Sequence, residues 1–155
     1  MKSKQKGFSL IELLIVVTII LVIAAIAIPS LLMSRISANE ASAVGSVRSI
    51  NTSQVTYDTV CNFYAATLSE LNSGTICPAA AGTIDVALAA GQKSGYTITS
   101  ISPGTTANGT NDTTFDINAD PITQGSSGQR HFFSNETLVI RVDPAAPATN
   151  ASNPL

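Results

Sequence analysis

The dominant pattern in the chain is an unbroken apolar run. From Phe8 to Ile28 there are 21 residues with one charge, Glu12, and two hydroxyls, Ser9 and Thr18. At 1.5 Å rise per residue, a helix of that length spans roughly 30 Å, the hydrocarbon thickness of a bilayer. Lys2, Lys4 and Lys6 stand ahead of it, a basic flank of the kind that stays on the cytoplasmic side. The remainder is then expected to face outward. A helix buried in a soluble core is the competing reading, and the length and apolarity of the run count against it.

After Pro29 the pattern becomes amphipathic. Leu32, Ile36, Val44, Val47 and Ile50, with small Ala43 between them, recur at three- and four-residue steps. Arg35, Glu40, Arg48 and Asn51 lie largely off that stripe. Pro29 removes the bond to the carbonyl of Ala25 and is expected to kink a helix that continues past it. One helix from Phe8 to about Thr59 would be roughly 78 Å long. That exceeds what a compact domain of this size can hold, so its first half must lie in a membrane or among copies of itself.

From Tyr96 the period falls to two. Tyr96–Ile101, Thr113–Asn118, Arg130–Phe133 and Thr137–Val142 read as strands, separated by Gly, Pro, Asn and Ser clusters. Ser134-Asn135-Glu136 is expected to form a short hairpin link. Four neighbouring strands predict an antiparallel meander with one face packed on the apolar stripe of the helix. The fold class is therefore α+β. Residues 8–28 form the apolar half-helix and 29–59 its amphipathic continuation. Residues 60–95 are a loop region with a short helical piece at Asp85–Ala89. The sheet occupies 96–143, and 144–155 is an extended or disordered tail rich in Pro, Ala and Asn.

Composition narrows the function classes. The chain has 155 residues, enough for one domain, with 45% hydrophobic and 12% charged residues. That charge content is about half the usual quarter, which excludes a charge-rich disordered chain. Eight Lys and Arg against ten Asp and Glu leave no basic surplus for a nucleic-acid backbone. With a single His, no nucleophile–base pair can be assembled, so neither an enzyme nor a resident cofactor is expected.

Cys61 and Cys77 enclose 15 residues at the start of the loop region. On the outer side of a membrane a disulfide is the natural reading. Two free thiols are the alternative; a metal site would have only Asp58, Glu70 and carbonyls to add. His131, set beside Phe132 and Phe133, reads as structural. Asp112, Asp116 and Asp120 recur every four residues. They form either a solvated strand face or, with more oxygens converging, a calcium site. Asn51, Asn108, Asn111, Asn135 and Asn150 each open an N-x-S/T triplet, a frequent coincidence in a chain this rich in Asn, Ser and Thr.

Two export readings compete at the N-terminus. Ala25-Ile26-Ala27 offers a small-x-small pattern for signal peptidase, which would leave a secreted binding domain starting at Ile28. The apolar run is longer than such signals need, and Glu12 inside it has no place in a disposable segment. The other reading rests on a resemblance. Lys6-Gly7-Phe8-Ser9-Leu10-Ile11-Glu12-Leu13-Leu14-Ile15-Val16-Val17 resembles the N-terminus of type IV pilins and their pseudopilin relatives, the class III signal substrates. Asn39–Thr52, Gly95-Tyr96-Thr97 and Gly128–Phe133 resemble, more loosely, later segments of bacterial pilin-like proteins. Many pilins carry a glycine about two turns before the proline; here Leu21 and Val22 stand there, leaving Pro29 alone to loosen the helix.

The resemblance implies a leader, residues 1–7, cut between Gly7 and Phe8 by a prepilin peptidase that also N-methylates Phe8. It implies an assembly role for Glu12 and matches Pro29 to the helix-interrupting proline of many members. The chain would be a single-pass inner-membrane precursor, then a homopolymer in an extracellular filament. Its expected partners are other copies, the peptidase, and an assembly ATPase with its platform protein. A type II secretion pseudopilin, some of which hold calcium in C-terminal loops, shares the N-terminal features and remains the alternative. Adhesion, twitching motility, DNA uptake and electron transfer all stay open. For electron transfer the mature helix would carry only Phe8 and Tyr57 as aromatics.

Overall fold

The computed structural model describes residues 7–101 and 113–155. The chain divides into two compact units, residues 1–35 and Ile36–Leu155. Helix α1 spans Leu10–Cys61 and contributes to both.

In the first unit the large apolar side chains of α1, from Leu10 to Met33, are exposed. An 18-residue window of the helix reaches a mean hydropathy of 3.2 with none of it buried. By length and composition it can cross a membrane. Left in water, this surface would lose about 25 cal/mol for every Å² not covered, so lipid or other protein must cover it. Pro29 lies inside α1, and helix continues on both sides of it. One backbone bond is lost there without ending the helix. Leu32, expected on the buried stripe, is instead exposed; the stripe begins at Ile36.

The second unit folds around that stripe. Ile36, Ala43, Val44, Val47, Ile50 and Tyr57 are buried on one side of α1. Against them pack Ile98 of β2 (Tyr96–Ile101), Ile117 and Ala119 of β3 (Asp116–Pro121), and Phe132 of β4 (His131–Asn135). The core therefore sits between helix and sheet, as alternation on the strands requires. The sheet has six strands in sequential antiparallel order, with β1 (Gln92–Lys93), β5 (Arg141–Asp143) and β6 (Asn153–Pro154) completing it. Gln54 is one buried polar side chain of this layer whose groups are paired within it. Gln54 accepts from the Ala65 N–H at 2.9 Å and donates to the Ala65 carbonyl and to Ser100.

The strands depart from expectation at three places. Residues 113–115 precede β3 rather than opening it. The stretch 137–140 is not strand but a turn at 136–137 followed by irregular backbone: Leu138 has φ 61°, and Asn135 Oδ1 accepts from both the N–H and the hydroxyl of Thr137. A left-handed residue and an Asx-type turn together break the ladder that β-propensity alone favours. The tail, read as extended or disordered, turns back instead. Ala148 is buried, β6 pairs with β5, and the Leu155 N–H donates to the Ile140 carbonyl at 2.8 Å. In the loop region, α2 (Leu68–Ser73) is capped by Thr67 and α3 (Val86–Ala89) by Asp85.

A polar latch joins α1 to the segment before β4. Glu40, 6% exposed, accepts from the Gln129 N–H at 3.0 Å, the Arg130 N–H at 3.2 Å and Arg130 Nε at 2.8 Å. The Tyr96 hydroxyl donates to the Arg130 carbonyl. Gly128 lies so close to the Tyr96 ring that any Cβ there would collide with it. Burial alone raises the Glu40 carboxyl, but the Gln129 and Arg130 bonds outweigh it and hold it below its ordinary value of 4.5. A carboxyl depressed in the folded state contributes stability above its unfolded value and loses it as pH falls through the folded one. Glu40→Gln should therefore cost about 1–3 kcal/mol at neutral pH. It should also flatten the loss of thermal stability below pH 4.5, which calorimetry across pH 2–7 checks.

Candidate processing and assembly site

At the N-terminal end of the described chain, Gly7, Phe8 and Ser9 lie outside helix, and α1 begins at Leu10. Phe8 is 80% exposed, and nothing stands within 4 Å of where a Gly7 side chain would go. The Gly7–Phe8 peptide bond thus lies in non-helical backbone, and Phe8 is exposed among the described residues.

What stops the helix there is visible. The Ser9 carbonyl accepts from the Leu13 N–H at 3.3 Å, and Glu12 Oε2 accepts from the Ser9 N–H at 2.9 Å. This is one arm of a capping box: a carboxylate at the third helical position reaches back to the residue before the helix. The charge at Glu12 also complements the positive end of the helix dipole. Sequence reasoning missed this role for Glu12, although Ser9-Leu10-Ile11-Glu12 carries the S-x-x-E spacing that signals it.

Cys61 and Cys77 are joined in a disulfide, with Cα atoms 6.3 Å apart. Beside it Glu70, buried on α2, gathers three donors on one oxygen. Oε1 accepts from the Tyr57 hydroxyl at 2.9 Å, the Ile76 N–H at 2.7 Å and the Cys77 N–H at 3.3 Å. Burial, then the Glu70 bond and charge, push the Tyr57 hydroxyl well above the usual phenol range. The hydroxyl therefore stays a donor. No pattern in the sequence signals Glu70, since its three partners are brought to it only by folding.

The remaining candidates are separated. His131 Nδ1 lies 2.6 Å from Asp120 Oδ1, and its Nε2 is buried with no partner among the described residues. Asp112 lies outside the described residues. Asp120 is engaged by His131, and Asp116 stands four residues before it on β3. Among the described residues no three His, Cys, Asp or Glu side chains come together as metal ligands. Of the N-x-S/T asparagines, Asn51 and Asn135 are buried, Asn150 is exposed, and Asn108 and Asn111 lie outside the described residues.

Residues 2–28 match the family model described as the prokaryotic N-terminal methylation motif. This is the class III signal segment of type IV pilins and pseudopilins. No curated protein and no solved structure matches the chain.

Proposed function

We propose that this chain is the structural subunit of a type IV pilus. Its precursor is held in the inner membrane by the first half of α1 and cut between Gly7 and Phe8 by a prepilin peptidase, which N-methylates Phe8. The mature subunit then polymerises through the same helix, driven by an assembly ATPase and its platform protein. One observation carries this reading: the methylation motif over residues 2–28 coincides with a helix whose apolar side chains have no cover of their own. Moving such a helix from lipid to a bundle of identical helices exchanges one apolar surrounding for another, so extraction and assembly cost little in hydrophobic terms.

Processing is the direct test. Mass analysis of the mature protein should find N-methylated Phe8 as its first residue. A mature chain beginning at Ile28 would instead place it among ordinary signal-peptidase substrates and overturn the proposal. Pseudopilins share the motif, so electron microscopy of cells with and without the gene separates the two. Surface filaments lost on deletion support the pilus. Deletion that leaves surface filaments intact and blocks protein secretion supports the pseudopilin.

A further inference from the structure

The second unit has two surfaces on which polar groups are left without partners, and each lacks what the other offers. The first is a concave pocket of about 470 Å³ on the sheet, lined by Asp116 and Asn118 of β3, Asn135 at the end of β4, Glu136 just after it, and Thr149 and Asn150 of the tail. Neither the Asp116 nor the Glu136 carboxylate has a hydrogen bond or ion pair among the described residues. No cation lines the pocket. Burial, then the Glu136 charge, push the Asp116 carboxyl up, as two uncompensated like charges must.

The second surface is a groove on α1 around Arg48, with Asn51, Thr52, Val55 and Leu138. Asn51 is 7% exposed. Its amide donates to Ser134 at 2.8 Å, while its Oδ1 is buried with no donor. Among the described cations of this unit, Lys93 is paired with Asp85 and Arg130 with Glu40. Arg141 donates to the Ser152 carbonyl. Arg48 is exposed and has no side-chain partner among the described residues.

We propose that Arg48 of one copy enters the sheet pocket of a second copy, its guanidinium lying between Asp116 and Glu136. This contact rests on the polymer reading above. A guanidinium presents five donors in a planar fork, which suits two carboxylates better than an ammonium does. The two surfaces are different patches, as in the heterologous contacts from which open helical filaments are built.

The test uses the full-length chain in cells, reading sheared filament recovery at matched subunit levels. Arg48→Glu and Glu136→Arg should each lower recovery at least fivefold, and the doubly substituted chain should return to within twofold of wild type. Asp116→Asn should leave the subunit at least as heat-stable in detergent, since burial and Glu136 disfavour its charge, and still weaken filaments. That combination is not what a merely structural residue gives. Chains carrying Arg48→Cys and Glu136→Cys should be joined by a short bismaleimide only when co-expressed. Wild-type recovery from Arg48→Glu, or no rescue by the swap, overturns the contact. So does cross-linking of Glu136→Cys chains to one another. Any of these with wild-type filaments present rejects the contact alone; absence of wild-type filaments rejects the polymer reading and the contact with it.

Discussion

Glu12→Leu should insert in the membrane at least as well as the wild type, be cut after Gly7, and yield few or no filaments. Leucine removes a carboxylate whose cost in hydrocarbon runs up to about 2.5–3.5 kcal/mol on insertion scales, less near a helix end. Insertion therefore cannot be what suffers. Cleavage creates an amine at Phe8, four residues before Glu12 and just ahead of the helix. Within its own chain, Glu12 Oε2 is already engaged by the Ser9 N–H. In a filament core the amine and the carboxylate would each be costly alone, and the Phe8 amine of a joining subunit against a neighbour's Glu12 would neutralise both and set the axial register. Glu12→Gln separates the two roles, because it keeps an acceptor for Ser9 and removes the charge. If capping were all that Glu12 does, Glu12→Gln would assemble normally. Wild-type filament yield from Glu12→Leu at wild-type protein levels refutes the docking role.

The second large effect is expected at the disulfide. Without reductant, alkylation of the exported protein should label neither Cys61 nor Cys77. The doubly substituted Cys61→Ser, Cys77→Ser chain should lose on the order of 2–4 kcal/mol, as the chain-entropy model gives about 3 kcal/mol for a loop of this length. For a unit of this size that is a drop of roughly 10 °C in melting midpoint, enough to reduce subunit levels. The bridge ties the end of α1 to the segment after α2. Full labelling of both thiols in the folded, exported protein would show instead that the loop is held without a bridge.

Much of the architecture was legible because it rests on long periodic stretches. The apolar run and the stripe from Ile36 to Ile50 each repeat one signal often enough to survive local exceptions. The short helical piece at Asp85–Ala89 was legible, whereas the caps that Asp85 and the Ser9–Glu12 pair provide were overlooked. The turn before Leu138 was hidden because Thr137-Leu138-Val139-Ile140 has strong strand propensity, overridden by the Asn135 side chain. The tail was misread because its pairing partner, β5, gives no local hint in the tail's own composition. Glu40 and Glu70 were illegible as organising residues. The partners of Glu40 on Gln129 and Arg130 lie 89 and 90 positions away, and no local pattern reports a contact at that range.

Glu70 has a consequence for how the subunit reaches its oxidised form. By fixing the Tyr57 hydroxyl and the backbone of Ile76 and Cys77 on one oxygen, it holds the second thiol near the first independently of any covalent bond. In the language of intramolecular reactions, it raises the effective concentration of one sulfur at the other. The native pairing should then be favoured as the bridge forms, and a reduced bridge should re-form between the same two sulfurs.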